Sequence, residues 1–84
     1  MKFNYTTKGV CSRSIAIEIE NDIILSAVYT GGCSGNTQGV SALVKGMNVD
    51  EAIDRLSGIR CGFKSTSCPD QLAEALKHYK TGNI

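Results

Sequence analysis

The chain has 84 residues, 42% of them hydrophobic, and a formal net charge of +1. That length allows one domain with a small core, of a size often helped by a metal, disulfides or a partner subunit. The hydrophobic share argues against disorder, and the near-neutral charge gives no global electrostatic reason to bind nucleic acid or membranes.

Residues 2–6 alternate around Phe3 and Tyr5 and predict a short strand. Residues 14–20 alternate more cleanly: Ile15, Ile17 and Ile19 share one face, and Ala16, Glu18 and Glu20 the other. That pattern predicts a strand with one buried and one wet face. Asn21-Asp22 is a turn pair, and residues 23–30 read as a strand returning antiparallel, ended by Gly31-Gly32.

The second half reads as helical. Asn36 is placed to cap a helix whose apolar positions are Val40, Leu43, Val44 and Met47, with Gly46 able to end it. A second helix over residues 49–57 has Asp50 and Glu51 in its first turn and Ala52, Ile53 and Leu56 on one face, and Gly58 stops it. After a connection from 62 to 67, Pro69 suits the first position of a third helix that carries Leu72, Leu76 and Tyr79 on one side. Strands first and helices second predict an α+β fold: a small antiparallel sheet of about three strands followed by about three helices packed on one face. No linker divides the chain, so residues 1–84 read as one domain, and a half-covered sheet over a small core suggests a homodimer.

No stretch is long and apolar enough to span a bilayer, and the amino-terminal residues lack the apolar run of a signal peptide. The expected compartment is therefore cytoplasmic, where stable disulfides are disfavoured. In that setting the four cysteines, Cys11, Cys33, Cys61 and Cys68, point to metal or redox chemistry. They are separated by 21, 27 and 6 intervening residues, and none forms a C-x2-C knuckle, so spacing alone is a weak zinc signal. Placement is stronger. Cys11 precedes the first long strand and Cys33 follows the returning one, so a hairpin brings both to one end of the sheet. Cys61 and Cys68 bracket one short loop able to reach the same end. Four thiolates suit a closed tetrahedral zinc site, and an iron–sulfur cluster takes similar ligands.

Two alternatives stand beside that reading. Cys68 is expected at a helix start, a position where the dipole favours a thiolate, and Cys61 would be its resolving partner in a redox pair. Free cysteines also serve as small buried hydrophobes. The run Gly31-Gly32-Cys33-Ser34-Gly35-Asn36 joins a strand to a helix, where backbone N–H groups can hold a phosphate, with Gly32, Ser34, Gly35, Asn36 and Lys64 as candidate residues for a phosphate or nucleotide. It matches neither G-x-G-x-x-G nor the P-loop pattern, and a tight loop that positions Cys33 is the simpler account. Lys64 could instead offset thiolate charge. His78 reads as a helix-end or solvent residue, Asp50, Glu51 and Asp54 as a solvated face, and Ser65, Thr66 and Ser67 as caps of the third helix rather than nucleophiles.

Residues Thr66-Ser67-Cys68-Pro69-Asp70 spell the motif after which the TSCPD domain is named. Gly9-Val10-Cys11-Ser12, the glycine-rich run around Cys33, Gly58-Ile59-Arg60-Cys61-Gly62-Phe63-Lys64 and Gln71-Leu72-Ala73 also resemble blocks of that family, so the resemblance covers nearly the whole chain. The chain is similar to the short stand-alone bacterial form. A similar domain stands at the carboxyl end of adenosylcobalamin-dependent ribonucleotide reductases. The resemblance implies a cysteine-based, metal-binding accessory module with a tie to deoxynucleotide synthesis, partnered by an enzyme of nucleotide metabolism or by a nucleotide. It does not imply reductase activity, which needs a large barrel that 84 residues cannot build.

Overall fold

The computed structural model describes residues 1–32, 34–60 and 62–82. Three strands come first: β1 (Lys2–Thr6), β2 (Ser12–Glu20) and β3 (Ile23–Gly31). They form one antiparallel sheet in the order β1-β2-β3, so β2 is central. Three helices follow: α1 (Ser34–Val44), α2 (Val49–Leu56) and α3 (Cys68–Thr81). The α+β architecture expected from the sequence is the one observed.

Asn21 and Asp22 both have positive φ, 52° and 61°, as a two-residue hairpin with the twist of the flanking strands requires. The pairing of β2 with β3 is regular from Ser14↔Thr30 to Glu18↔Ser26, then shifts so that Ile19 faces Ile24. Leu25 is the extra residue of this bulge. The slip lets Ile24 and Ala27, three apart, both point inward, and it turns Leu25 outward. An unbroken alternation would have buried the wrong residues on one side of the bulge.

Ile15, Ile17 and Ile19 of β2 are buried as their alternation implies, with Ile24 and Ala27 of β3 beside them. The helices cover this face. Val40 and Val44 come from α1, Val49 and Ala52 from α2, and Leu72, Ala75 and Leu76 from α3. Phe3 of β1 stacks on Tyr79 of α3 at 6.2 Å, which closes the core at the β1 edge. His78 is not simply a solvated helix-end residue: it is half-buried, and its ring lies 5.6 Å from that of Tyr5.

Three expectations shift in detail. α1 begins at Ser34, two residues before Asn36, because Gly31 and Gly32, both at positive φ, turn the chain straight out of β3. Leu43, placed by periodicity on the apolar side of α1, is 75% exposed. α3 begins at Cys68, so Pro69 occupies the second helical position, still within the turn whose N–H groups have no partner in the helix. No helix among the described residues is long and apolar enough to cross a membrane.

Candidate functional site

The antiparallel register sets which ends of the chain meet. Ser12 opens β2 and lies opposite Gly31, the last residue of β3, so the segments after Val10 and before Cys33 share one end of the sheet. α3 starts at that same end. Ser12 is buried, and its Oγ lies 3.2 Å from Cys68 Sγ. Cys68 is itself buried, and the Tyr29 hydroxyl donates to its carbonyl oxygen at 2.8 Å. Burial, with the nearby Cys68 as a smaller cause, holds the Tyr29 phenol far above its ordinary pKa of 10.0.

Gly32 packs against Ser12. At φ +85°, a conformation side chains rarely adopt, a β-carbon on Gly32 would sit 3.1 Å from both Ser12 Cβ and Ser12 N, so the Ser12 backbone would have to give by a few tenths of an ångström. Close packing therefore accounts for this glycine. Gly35, by contrast, faces open space. The side chains of Ser34 and Asn36 lie outside the described residues, so the phosphate reading of this run has only its backbone placement.

The β1–β2 connection is tied down from both sides. Thr7 Oγ1 donates to Ser12 O at 2.6 Å, and Thr7 N to Arg13 O at 3.1 Å. Lys8 N donates to Gln71 Oε1 of α3 at 3.0 Å. Cys11, on this connection, is exposed, and the Lys64 ammonium donates towards its Sγ at 3.8 Å. Lys64 thus reaches across from the α2–α3 connection to a thiol 53 positions earlier. Lys64 is thereby placed beside the Cys11 thiol.

Cys11 and Cys68 are therefore brought to one end of the sheet, as expected. Cys33 and Cys61 lie outside the described residues. Among the described residues no group of three or more His, Cys, Asp or Glu side chains is arranged to hold a metal.

The α2–α3 connection is held by the first turn of α3. Asp70 is buried; its Oδ1 accepts from Gly58 N at 2.7 Å and its Oδ2 accepts from Thr66 Oγ1. Ser67 caps the helix by accepting from Asp70 N at 3.1 Å, and its own hydroxyl donates to Ile59 O at 2.6 Å. Gln71 Nε2 donates to Thr66 Oγ1 at 3.0 Å while its Oε1 holds Lys8.

The sequence profile of the TSCPD domain matches residues 1–80. The chain belongs to the TSCPD domain family. Neither curated proteins nor solved structures gave a match. Within this TSCPD domain the five motif residues act as one unit. Thr66 bridges Asp70 and Gln71, Ser67 caps α3 and anchors Ile59, and Cys68 puts a thiol on Ser12. Pro69 presets the first turn, and Asp70 ties that turn back to Gly58. Sequence reasoning assigned no role to Ser12, Tyr29, Asp70 or Gln71. Asp70 and Gln71 bond locally to Thr66, but each of the four also has a partner 12 to 63 positions away that no local pattern announces.

Proposed function

We propose that this TSCPD domain is a small thiolate metal-binding module whose ligands are Cys11, Cys68, Cys33 and Cys61, with zinc as the ion that suits them best. The observation that carries the reading is the 3.2 Å contact between Ser12 Oγ and Cys68 Sγ, which sets Cys68 beside the residue that follows Cys11. The first residue before Cys33 also packs on Ser12. The donor set fits: soft thiol ligands favour zinc or an iron–sulfur cluster over magnesium or calcium. A hydroxyl on one sulfur and an ammonium near another are the kind of outer partners that offset charge on metal-bound thiolates. A closed four-thiolate zinc site supplies folding free energy rather than chemistry at an open position. The domain's role is accordingly accessory, and its resemblance to the carboxyl-terminal module of a reductase agrees with that.

The test is metal content and free thiols measured together, by elemental analysis and native mass spectrometry of protein purified without chelators. One zinc per chain with four protected thiols is expected. Cys→Ser at any one of the four should remove most of the metal. Retention of a full equivalent by any single variant, or one thiol fully reactive in the metal-loaded protein, refutes the four-ligand site. Iron with sulfide in place of zinc would identify a cluster on the same ligands. A metal-free folded chain would sink the proposal.

A further inference from the structure

We propose that the cysteine end of the domain carries a binding surface for single-stranded nucleic acid, with Phe63 as the stacking platform and Lys8, Arg13, Arg60 and Lys64 as its cationic rim. The near-zero net charge conceals a strong segregation. Residues 7–13, 29–32, 57–60 and 62–69 lie at this end. Together they hold those four cations and no carboxylate; the eight carboxylates of the chain lie on other segments, with Asp70 and Glu74 on the α3 wall of the recess that Lys8 lines. The nearest is Asp70, which is buried with both oxygens already accepting hydrogen bonds. Glu74 follows one turn further along α3 and is held by Lys77 at 3.2 Å.

The cations are distributed around this end. Lys64 reaches Cys11, and Arg13 lies two residues further along β2, with its guanidinium beside Gly31. Lys8 and Ser65 line one open recess of about 380 Å³. Arg60 follows Ile59, whose carbonyl is fixed by Ser67. All four cations are exposed, and among the described residues none forms an ion pair. Three of the other five, Arg55, Lys77 and Lys80, do.

Phe63 stands in the middle of this stretch and is fully exposed, on a tight turn that follows Gly62. An aromatic ring left wholly in water, three residues from one cation and adjacent to another, has the composition of a sequence-tolerant single-strand site: a ring for a base and cations for the backbone on either side. A duplex would need a helix or ribbon to enter a groove, and this end of the fold offers a loop. The inference is independent of the metal reading. A four-thiolate zinc centre is itself anionic but carries fewer charges than the four cations around it.

The experiment is fluorescence anisotropy of a labelled oligothymidine on the full chain across a salt series, with variants Phe63→Ala, Arg13→Gln, Arg60→Gln and, as a control away from the patch, Lys45→Gln. Binding at low salt is expected, with log K falling against log salt at a slope of about −3 if all four cations meet phosphates. Phe63→Ala should weaken binding by about 5- to 150-fold, the effect of losing one stacked base. It should leave the circular dichroism unchanged, since the ring is wholly in solvent. Arg13→Gln and Arg60→Gln should each flatten the slope, and Lys45→Gln should leave it alone. Absence of binding at low salt, Phe63→Ala binding as tightly as the parent, or Lys45→Gln weakening binding as much as Arg60→Gln each overturns the proposal. So does binding to anionic phosphatidylglycerol vesicles without binding to the oligonucleotide, which would reassign the patch to a lipid surface.

Discussion

Replacing Asp70 by alanine should destabilise this domain far more than its position in a first helical turn suggests. An acidic residue there contributes about 0.3–1 kcal/mol through the helix dipole alone. Asp70 also accepts from Gly58 N at 2.7 Å and from the Thr66 hydroxyl, both partly shielded from water. Hydrogen bonds to a charged acceptor contribute about 1.5–3 kcal/mol each, and their loss is not additive, so Asp70→Ala should cost about 2–4 kcal/mol. A chain of this length has roughly 4–12 kcal/mol in total. The midpoint of thermal unfolding should drop by about 10–25 °C. Asp70→Asn keeps an oxygen for Gly58 N–H but turns an amide towards Thr66, leaving that hydroxyl without its acceptor, and should cost about half as much. Urea unfolding followed by circular dichroism measures both variants, with an unchanged m-value as the check that the unfolded state has not altered. An Asp70→Ala variant within about 0.5 kcal/mol of the parent, the range of an ordinary surface change, would refute the claim that this carboxylate holds the α2–α3 connection.

Leu76 and Leu43 offer a contrast between two residues of similar sequence pattern. Leu76→Ala should cost about 2–5 kcal/mol because the side chain is fully buried. Leu43→Ala should stay within about 0.5 kcal/mol because the side chain is 75% exposed. Equal losses in urea melts would contradict the orientation of α1. Ser57 Oγ is buried with no hydrogen-bond partner among the described residues, so Ser57→Ala should be neutral or stabilise by about 1 kcal/mol, and a clear loss would reveal a partner for that hydroxyl. The phenols of Tyr5 and Tyr29, raised chiefly by burial, and of Tyr79, raised chiefly by its hydrogen bond to Asp22, hold their protons above the ordinary value of 10.0. Above that value the folded state binds more protons than the unfolded one, so stability should fall as pH rises past about 10, and a flat stability through that window would refute it.

The sheet was legible because β2 keeps a strict alternation and Asn21-Asp22 marks its turn. The helices were legible from their stops and caps: Gly46 and Gly58, both at positive φ, and Ser67. The bulge at Leu25 was not, since residues 23–28 are apolar on both faces apart from Ser26, and only the packing of Ile24 and Ala27 chooses between registers. Leu43 misled for a related reason. Periodicity gives the apolar side of a helix, but how wide a stripe the neighbours can cover is a tertiary matter. At the site, hairpin topology places Cys11 at the end of the sheet where β3 finishes, and the placement of Cys68 there rested on the reach of the short loop before α3. The groups that hold the convergence in place are ordinary polar residues whose partners are distant in sequence. Ser12, Tyr29, Asp70 and Gln71 differ from any surface serine, tyrosine, aspartate or glutamine only once the fold has buried them.

The distribution of apolar cover assigns different sources of order to the two ends of the molecule. At the hairpin end, Ile19, Ile24, Val44 and Val49 pack directly on one another's elements, and the α1–α2 turn bonds to β3 through Ile24 N to Met47 O and Gly46 N to Ile24 O. At the cysteine end, the connection between α2 and α3 has its largest apolar side chains, Ile59 and Phe63, in solvent. Among the described residues it is held by hydrogen bonds to Asp70, Ser67 and Gln71. Each such bond contributes about 1 kcal/mol net for a neutral pair, whereas burying one isoleucine or phenylalanine contributes about 1.5–3 kcal/mol. This connection is therefore the least stable part of the described fold, and it is the part on which a metal or a partner has most to act. A ligand that binds only the ordered connection stabilises that segment first, by opposing its local opening. The domain has in this way an apolar core at one end, and at the other a connection whose described order rests on polar contacts.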